Sequence, residues 1–250
     1  MAIRCWELDG ATRFDGRAAL YAKGRPSYPD AVIDFIAEEA GETQGRAADL
    51  GAGTGISTRL LARHFPAVVA VEPNIEMALA SRVASPRYVL GRTERLPFRD
   101  RALDLVTAFN SFHWFVPGEA MPEIDRVLRP GGLLAVVWPD WDFDDPFTKE
   151  FVTLMRRAAG DYPVEDRDAE AAPLYSSDRF TRVERRNVPY VHRLDRPGLI
   201  ARLQSMSFVP TSGAAGDAAL AELEELRARF ADAAGVVEHH YSISVYIVRR

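Results

Sequence analysis

Three glycines spaced two apart, Gly51, Gly53 and Gly55, follow the run Ala47-Ala48-Asp49-Leu50, and Glu72 closes the next apolar run, Ala67 to Val71. Glycine lets a backbone approach a ligand closely and takes up positive φ where a turn needs it. An acid at the end of the following strand can accept hydrogen bonds from a ribose diol. The chemistry implied is binding of a nucleoside-bearing cofactor across the first strands of an open α/β sheet. A dinucleotide fingerprint needs a glycine at the position held here by Ile56. A pyrophosphate gains nothing from Asp49, two residues before the first glycine, because like charges repel. A cofactor with a cationic amino acid end does gain from it. The pattern therefore points to S-adenosylmethionine and away from NAD.

Methyl transfer from a sulfonium is an in-line displacement by an already activated donor, so alignment and exclusion of water are most of what a protein must supply. A carboxylate acceptor needs no base, whereas a phenol or alcohol needs one such as His. Asp49 is read as holding the cofactor's amino acid end through water, or as ordering the glycine loop through backbone N–H groups; the two roles can coexist. Gly51, Gly53, Thr54 and Gly55 make the loop, and Glu72 with Pro73 borders the ribose. Ile75 and Met77 are placed beside the adenine, and the turn Gly91-Arg92-Thr93-Glu94 at its edge, with Glu94 equally able to bind Arg95 or cap a turn. Asn110 is expected to border the methionine moiety. His113, either base or orienting wall, and Trp114 follow it; core packing explains Trp114 and Phe115 as well.

These residues need elements to position them. Val32, Ile33, Phe35 and Ile36 fit one face of a helix over Asp30 to Ala40. Strands are predicted at Arg46–Leu50, Ala67–Val71, Arg87–Leu90, Leu103–Phe109 and Leu133–Trp138. Helices are predicted from Thr54 or Gly55 to about His64, from Asn74 as cap through Ala80, and from Gly118 to Leu128, stopped by Pro130-Gly131-Gly132. Steady alternation of strand and helix means a doubly wound parallel α/β sheet with its ligand at the carboxyl ends of the strands. The glycine loop, Glu72, Gly91–Glu94 and Asn110–Trp114 all fall at such ends. Beyond Trp138, helices are predicted at Phe147–Ala159, Pro197–Phe208 and Ala214–Ala234, and strands at Arg182–Leu194 and Tyr241–Val248, the last near an edge. Residues 1–29 form an irregular arm, 30–140 the cofactor core and 141–250 a substrate-pocket insert with closing strands, within one domain.

Composition narrows the class. The 250 residues carry a formal charge of −5 and are 47% hydrophobic, enough for one sizeable core. One cysteine, Cys5, excludes an intramolecular disulfide and suits a reducing cytoplasm. No signal peptide and no membrane-length apolar window is read. A general nucleic-acid binder is usually basic, so no nucleic-acid partner is expected, and Arg182, Arg185 and Arg186 are read as a solvated strand face. The five histidines, His64, His113, His192, His239 and His240, complete no metal constellation, and Asp140, Asp142, Asp144 and Asp145 read as a solvated loop with a helix cap.

Taken together, the segments Tyr21-Ala22-Lys23-Gly24-Arg25-Pro26-Ser27-Tyr28-Pro29, Asp49 to Gly55, Val71-Glu72-Pro73, Thr93 to Phe98, Phe112-His113-Trp114-Phe115 and Arg126 to Gly132 resemble class I S-adenosylmethionine-dependent methyltransferases. The resemblance is narrower to the small-molecule subgroup that includes trans-aconitate methyltransferases. It covers about the first 140 residues. It implies a mostly parallel, Rossmann-like seven-stranded sheet whose last strand inserts antiparallel between the fifth and sixth. It also implies that the arm folds over the cofactor, with Arg25 pairing the methionine carboxylate and Tyr21 covering the sulfonium. The bland alternative is a stiff turn beside a helix. Many relatives carry an acid where Arg92 stands, which accepts from the adenine amino group; here Thr93 or Glu94 would serve. The motif used for base N-methylation is missing, since Asn110 is followed by Ser111-Phe112-His113. Tyr28, His113, Trp114 and Trp138, with Phe14 and Trp141 less strongly, are the candidates for an acceptor pocket. The expected partner is a small-molecule methyl acceptor, with a macromolecular methyltransferase and a non-catalytic cofactor binder as the alternatives.

Overall fold

The computed structural model describes residues 5–7, 12, 14–41, 45–81, 87–160 and 167–250. Arg4, Asp9, most of the Gly41–Gly45 turn and the side chain of Arg182 lie outside them. Seven strands form one sheet in the order β3-β2-β1-β4-β5-β7-β6. They are β1 (Arg46–Leu50), β2 (Ala67–Glu72), β3 (Arg87–Leu90), β4 (Leu103–Phe109), β5 (Leu128–Trp141), β6 (Thr181–Leu194) and β7 (Val237–Arg249). The pairings among β1 to β5 are parallel, and β7 runs antiparallel between β5 and β6. The sequence reading put β7 near an edge because Tyr-Ser-Ile-Ser alternates polar and apolar. It is the strand next to the edge, inserted antiparallel between β5 and β6 as the resemblance implies, and it is more buried than the alternation suggests: Ser244 is fully buried, and its hydroxyl donates to Asp140 at 2.6 Å. A satisfied hydroxyl imitates solvent exposure in a sequence pattern.

Strand alternation sorts the core into two faces. Leu134, Val136 and Trp138 of β5 meet Ile124 and Val127 of α5 (Pro117–Val127) and Leu174 of α7 (Arg167–Ser176). Leu133, Ala135 and Val137 point the other way, toward α2 (Asp30–Ala40) and α3 (Ile56–Leu61). Burial on both faces is why β1 and β4 read as near-continuous apolar runs. A third cluster joins α6 (Pro146–Ala159), α8 (Arg196–Gln204) and α9 (Gly213–Phe230) beyond the sheet's carboxyl edge strands. Two helices escaped the sequence reading: α7, and α1 (Ala18–Gly24) inside the arm expected to be irregular. The remaining helix, α4 (Ile75–Ala80), is capped as expected, the Asn74 side chain accepting from Met77 N–H at 2.9 Å. Asp145 likewise caps α6. No helix among the described residues is long and apolar enough to cross a membrane.

Candidate functional site

The loop after β1 holds Gly51, Gly53 and Gly55 at φ of 63°, 57° and 78°, where only glycine sits without strain. At Gly51 there is also no room, since an added Cβ would stand 2.6 Å from Cβ of Ser111. The Ser111 hydroxyl donates to Leu50 O at 2.6 Å, so the β1 and β4 loops are locked together. Glu72, nearly buried at the end of β2, accepts from Gly53 N–H at 2.7 Å and from Asn74 N–H at 2.9 Å. Burial pushes its carboxyl above the usual range, and those two N–H donors act against the rise. Asn110, following β4, holds a left-handed φ of 50°, rare outside glycine, with its N–H bound to Val137 O at 2.7 Å.

These loops open onto a cleft that communicates with solvent. Its walls include Tyr21, Gly51, Gly53, Glu72, Pro73, Met77, Arg92, Thr93, Glu94, Asn110 and Trp114, together with Phe14. Most of the expected cofactor set is thus brought to one place. Two smaller chambers adjoin it. A narrow loop chamber is walled by Arg25, Tyr28, Ala52, Ser57, Pro139 and Arg202. A narrow aromatic chamber is walled by Phe14, Arg25, His113, Trp114, Met206 and Phe208. Tyr21 and Asn110 border all three spaces and so stand at their junction.

Several expected residues sit elsewhere. Asp49 is fully buried and is absent from these walls; its carboxylate accepts from the hydroxyls of Ser57 and Thr58 at 2.6 Å and of Thr107 at 2.8 Å. Its carboxylate is held by side-chain hydroxyls and not by the loop N–H groups. It ties α3 to β4 beneath the loop, and burial, opposed by those hydroxyls, raises its carboxyl above the usual range. Thr54 is buried behind the loop, and Gly55 serves as the left-handed N-cap of α3. Ile75 is more than half exposed and does not reach the cleft. Glu94 lines the cleft but uses an oxygen to accept from Val116 N–H at 2.9 Å, ahead of α5, so the turn-capping alternative is the one seen. Trp138 corrects the expectation of a pocket wall. Its strand phase faces α5 and α7, and its ring is sealed among Phe112, Tyr246 and Arg167. Trp141 packs between two core clusters.

The arm is held by distant parts of the chain. Arg17 Nη1 donates to Met206 O at 2.6 Å and Val209 O at 3.1 Å, and Arg25 Nη2 to Ser205 O at 3.3 Å. The carbonyls of Gln204 and Ser205 at the end of α8 carry partial negative charge, and Arg17, also 3.4 Å from Gln204 O, and Arg25 offset it. Helix α1 approaches α8 so closely that a Cβ on Gly24 would lie 2.2 Å from Ala201 O. The Arg25 guanidinium stacks over Tyr21 at 4.7 Å, which fixes both at the junction. Arg202 and Ser111 were missed in the sequence; α8 gave no motif, and Ser111 is an ordinary residue type. No group of three metal-ligating side chains occurs among the described residues.

Comparison with known proteins bears on this site. A methyltransferase-domain family model matches residues 48–136, from β1 through β5. An uncharacterized methyltransferase of Mycobacterium tuberculosis is 38% identical over 215 residues, covering 85% of this chain and 84% of its own length. A trans-aconitate 2-methyltransferase of Variovorax paradoxus is 32% identical over 171 residues, 66% of this chain and 62% of that protein. Among solved structures, one described as a type II methyltransferase from Anaeromyxobacter dehalogenans superposes with a TM-score of 0.65 at 25% identity, over 90% of this chain and 96% of its own. The cyclase SpnF superposes over 100% of this chain and 97% of its own at a TM-score of 0.55 and 16% identity, a likeness of fold alone.

Proposed function

Because the chain belongs to the class I S-adenosylmethionine-dependent methyltransferases, as its relatives over most of its length show, we propose that it transfers a methyl group from S-adenosylmethionine to an oxygen of a small-molecule carboxylate or hydroxyl. The observation that carries this reading is the cleft itself, in which Glu72 and the glycine loop face one large space that narrows at Tyr21 and Asn110 into two small chambers. The residues fit an adenosyl ligand. Glu72 keeps lone pairs beyond the two that hold Gly53 and Asn74, and a carboxylate has about four such sites for ribose hydroxyls. A Cβ on Gly53 would sit 3.3 Å from Met77 Cε and 3.8 Å from the Tyr21 ring, intruding on the cradle. Bound there, S-adenosylmethionine supplies an activated methyl group.

The chain's own work is to position. Pro73, Met77 and Thr93 flank the adenine site, and Arg92 replaces the expected acid with a cation at its edge. Arg25 is placed for the methionine carboxylate, Tyr21 for the sulfonium, and Asn110 borders the methionine moiety. Asp49 acts indirectly, by holding Ser57 at the wall of the loop chamber. Tyr28 stands in that chamber as a neutral phenol, since burial keeps its hydroxyl well above the usual range. The aromatic chamber, with His113 and Trp114, receives the acceptor. Tyr21 of α1 borders both chambers, Arg202 of α8 borders the loop chamber and the turn after α8 borders the aromatic one, and chambers this narrow favour a small acceptor over a macromolecule. A cytoplasmic setting accords with the lone cysteine.

The test is incubation with S-adenosylmethionine and separate panels of small acids, small alcohols, RNA and protein, read by mass spectrometry for one added methyl group. Methylation within the small-molecule panels supports the reading. Transfer only to RNA or protein overturns the acceptor class, and saturable cofactor binding with no transfer anywhere identifies a binding protein.

A further inference from the structure

His113 is nearly buried on the 3-10 turn Phe112–Trp114 that follows β4, and its ring lines the aromatic chamber. The indole N–H of Trp138 donates to its Nδ1 at 3.3 Å. An indole nitrogen is a donor only. Nδ1 must therefore carry a lone pair, and the neutral ring carries its hydrogen on Nε2. The indole is not free to relax this choice. Arg167 lies over its ring at 4.7 Å and is itself held by Asp140 at 2.7 Å and by Glu170, while Phe112 and Tyr246 pack edge-on at 5.9 and 5.4 Å. Among the described residues nothing takes up the Nε2 hydrogen of His113. Burial, Arg167 and Arg25 together hold the imidazole well below its usual range, so it stays neutral.

Removing a proton from a hydroxyl acceptor would need a lone pair on Nε2, hence a hydrogen on Nδ1, and that hydrogen would oppose the Trp138 N–H. We propose that His113 is a hydrogen-bond donor to the acceptor rather than its base, and that the acceptor is a carboxylic acid which enters the aromatic chamber already ionised. The proposal rests on the methyltransferase reading above and names its substrate class. Carboxylic acids ionise near pH 4 and are anionic at neutral pH. The charged groups facing His113 are Arg25, which caps the end of α1, and Arg167 from α7, the latter already paired with Asp140 and Glu170, and Cys5 lines the same chamber. The described residues of that wall include no Asp or Glu to repel an anion, and Phe14, Tyr21, Trp114 and Phe208 suit an aromatic or apolar body. One carboxylate oxygen accepts from Nε2–H and is oriented by it. The other supplies the electron pair of the new O–C bond while the C–S bond breaks and its pair stays on sulfur. Carboxylate and sulfonium charges cancel, the products are a methyl ester and a thioether, and no proton is transferred.

The test has two arms. Nitrogen-15 NMR of histidine-labelled protein, with His113→Gln to assign the signal, reads the tautomer directly. A hydrogen on Nε2, with no titration of His113 between pH 6 and 8, is expected. A hydrogen on Nδ1, or titration in that range, overturns the proposal whatever the activity. The second arm uses matched probes, phenylacetate and 2-phenylethanol, with wild type, His113→Gln and His113→Leu. Ester formation with a rate flat above pH 6, about 100-fold loss in kcat/KM for His113→Leu and substantial rescue by the N–H donor of His113→Gln are expected. Preferred methylation of the alcohol, with equal loss in both variants and a rate rising through a histidine-like pKa, overturns it. Titration with S-adenosylhomocysteine in the same samples separates the two readings: absence of binding defeats the cofactor assignment and leaves the tautomer result standing.

Discussion

The two sides of the cleft are built by different means. On the cofactor side, backbone and short-range contacts do nearly everything: the glycines after β1, Glu72 holding Gly53 N–H, Asn110 fixed in a left-handed turn. On the acceptor side, side chains far apart in sequence meet, as when Arg17 binds Met206 O across 189 residues or Trp138 binds His113 across 25. A site made of backbone is fixed once its loop folds. A site made of distant side chains depends on the packing of whole elements, and it can change its ligand without disturbing the sheet.

The largest effect is expected where the cofactor side has no slack. Gly51→Ala combines positive φ with a Cβ 2.6 Å from Ser111, and should cost about 3 kcal/mol in unfolding free energy as well as adenosyl binding. A stable variant with undiminished binding would show that the loop can yield. On the other side, Gly24→Val should separate α1 from α8 and leave the sheet intact. Limited proteolysis is expected to cut within residues 14–29 while thermal denaturation of the remainder changes little; a cooperative loss of the whole fold would erase the distinction.

Titration sharpens the contrast further, because the two sides carry opposite signs. Asp49 and Glu72 have raised folded-state values through burial. Their unfolded forms ionise first, so stability falls as pH rises from the usual carboxylate range through the raised folded values, and Asp49→Asn should flatten that slope. His113 on the acceptor side is lowered by burial and neighbouring cations, as are His239 and His192 away from the cleft, His192 to about 4. Their stabilising share is fully present above the unfolded value near pH 6.5 and is lost as pH falls below it. Urea unfolding from pH 4 to 8 with His113→Gln and Asp49→Asn reads both slopes, and slopes of the same sign would refute the division. The smallest effect is expected at the rim. Arg193, exposed and paired with Glu238 and Asp232, should change stability by about 0.5 kcal/mol or less on substitution by Ala.

What could be read from sequence follows the same division. The cofactor side was legible because glycine spacing, a strand-ending acid and capped helices are local signals, and Gly51, Glu72 and Asn110 all reach the cleft. Asp49 was read in the right place but without its hydroxyl partners, since nothing local shows that Ser57, Thr58 and Thr107 would converge on it. The helix α1 is short and ends before Arg25-Pro26, and α7 contains Pro173, so neither carries a clear helical pattern. Trp138 was misplaced although the period-two alternation of Leu134, Val136 and Trp138 already assigns it to a covered face. Its tie to His113, like the lining of one chamber by both Arg25 and Arg202, depends on the register of elements that only the folded chain reveals.

Calorimetric titration of the wild type and of Glu72→Ala with S-adenosylmethionine, S-adenosylhomocysteine and NAD tests the central claim most directly. Binding of both adenosyl ligands with no NAD signal, weakened about 100-fold in Glu72→Ala, is the expected result. Binding of NAD, or equal affinity in the two proteins, would contradict the assignment of the cleft.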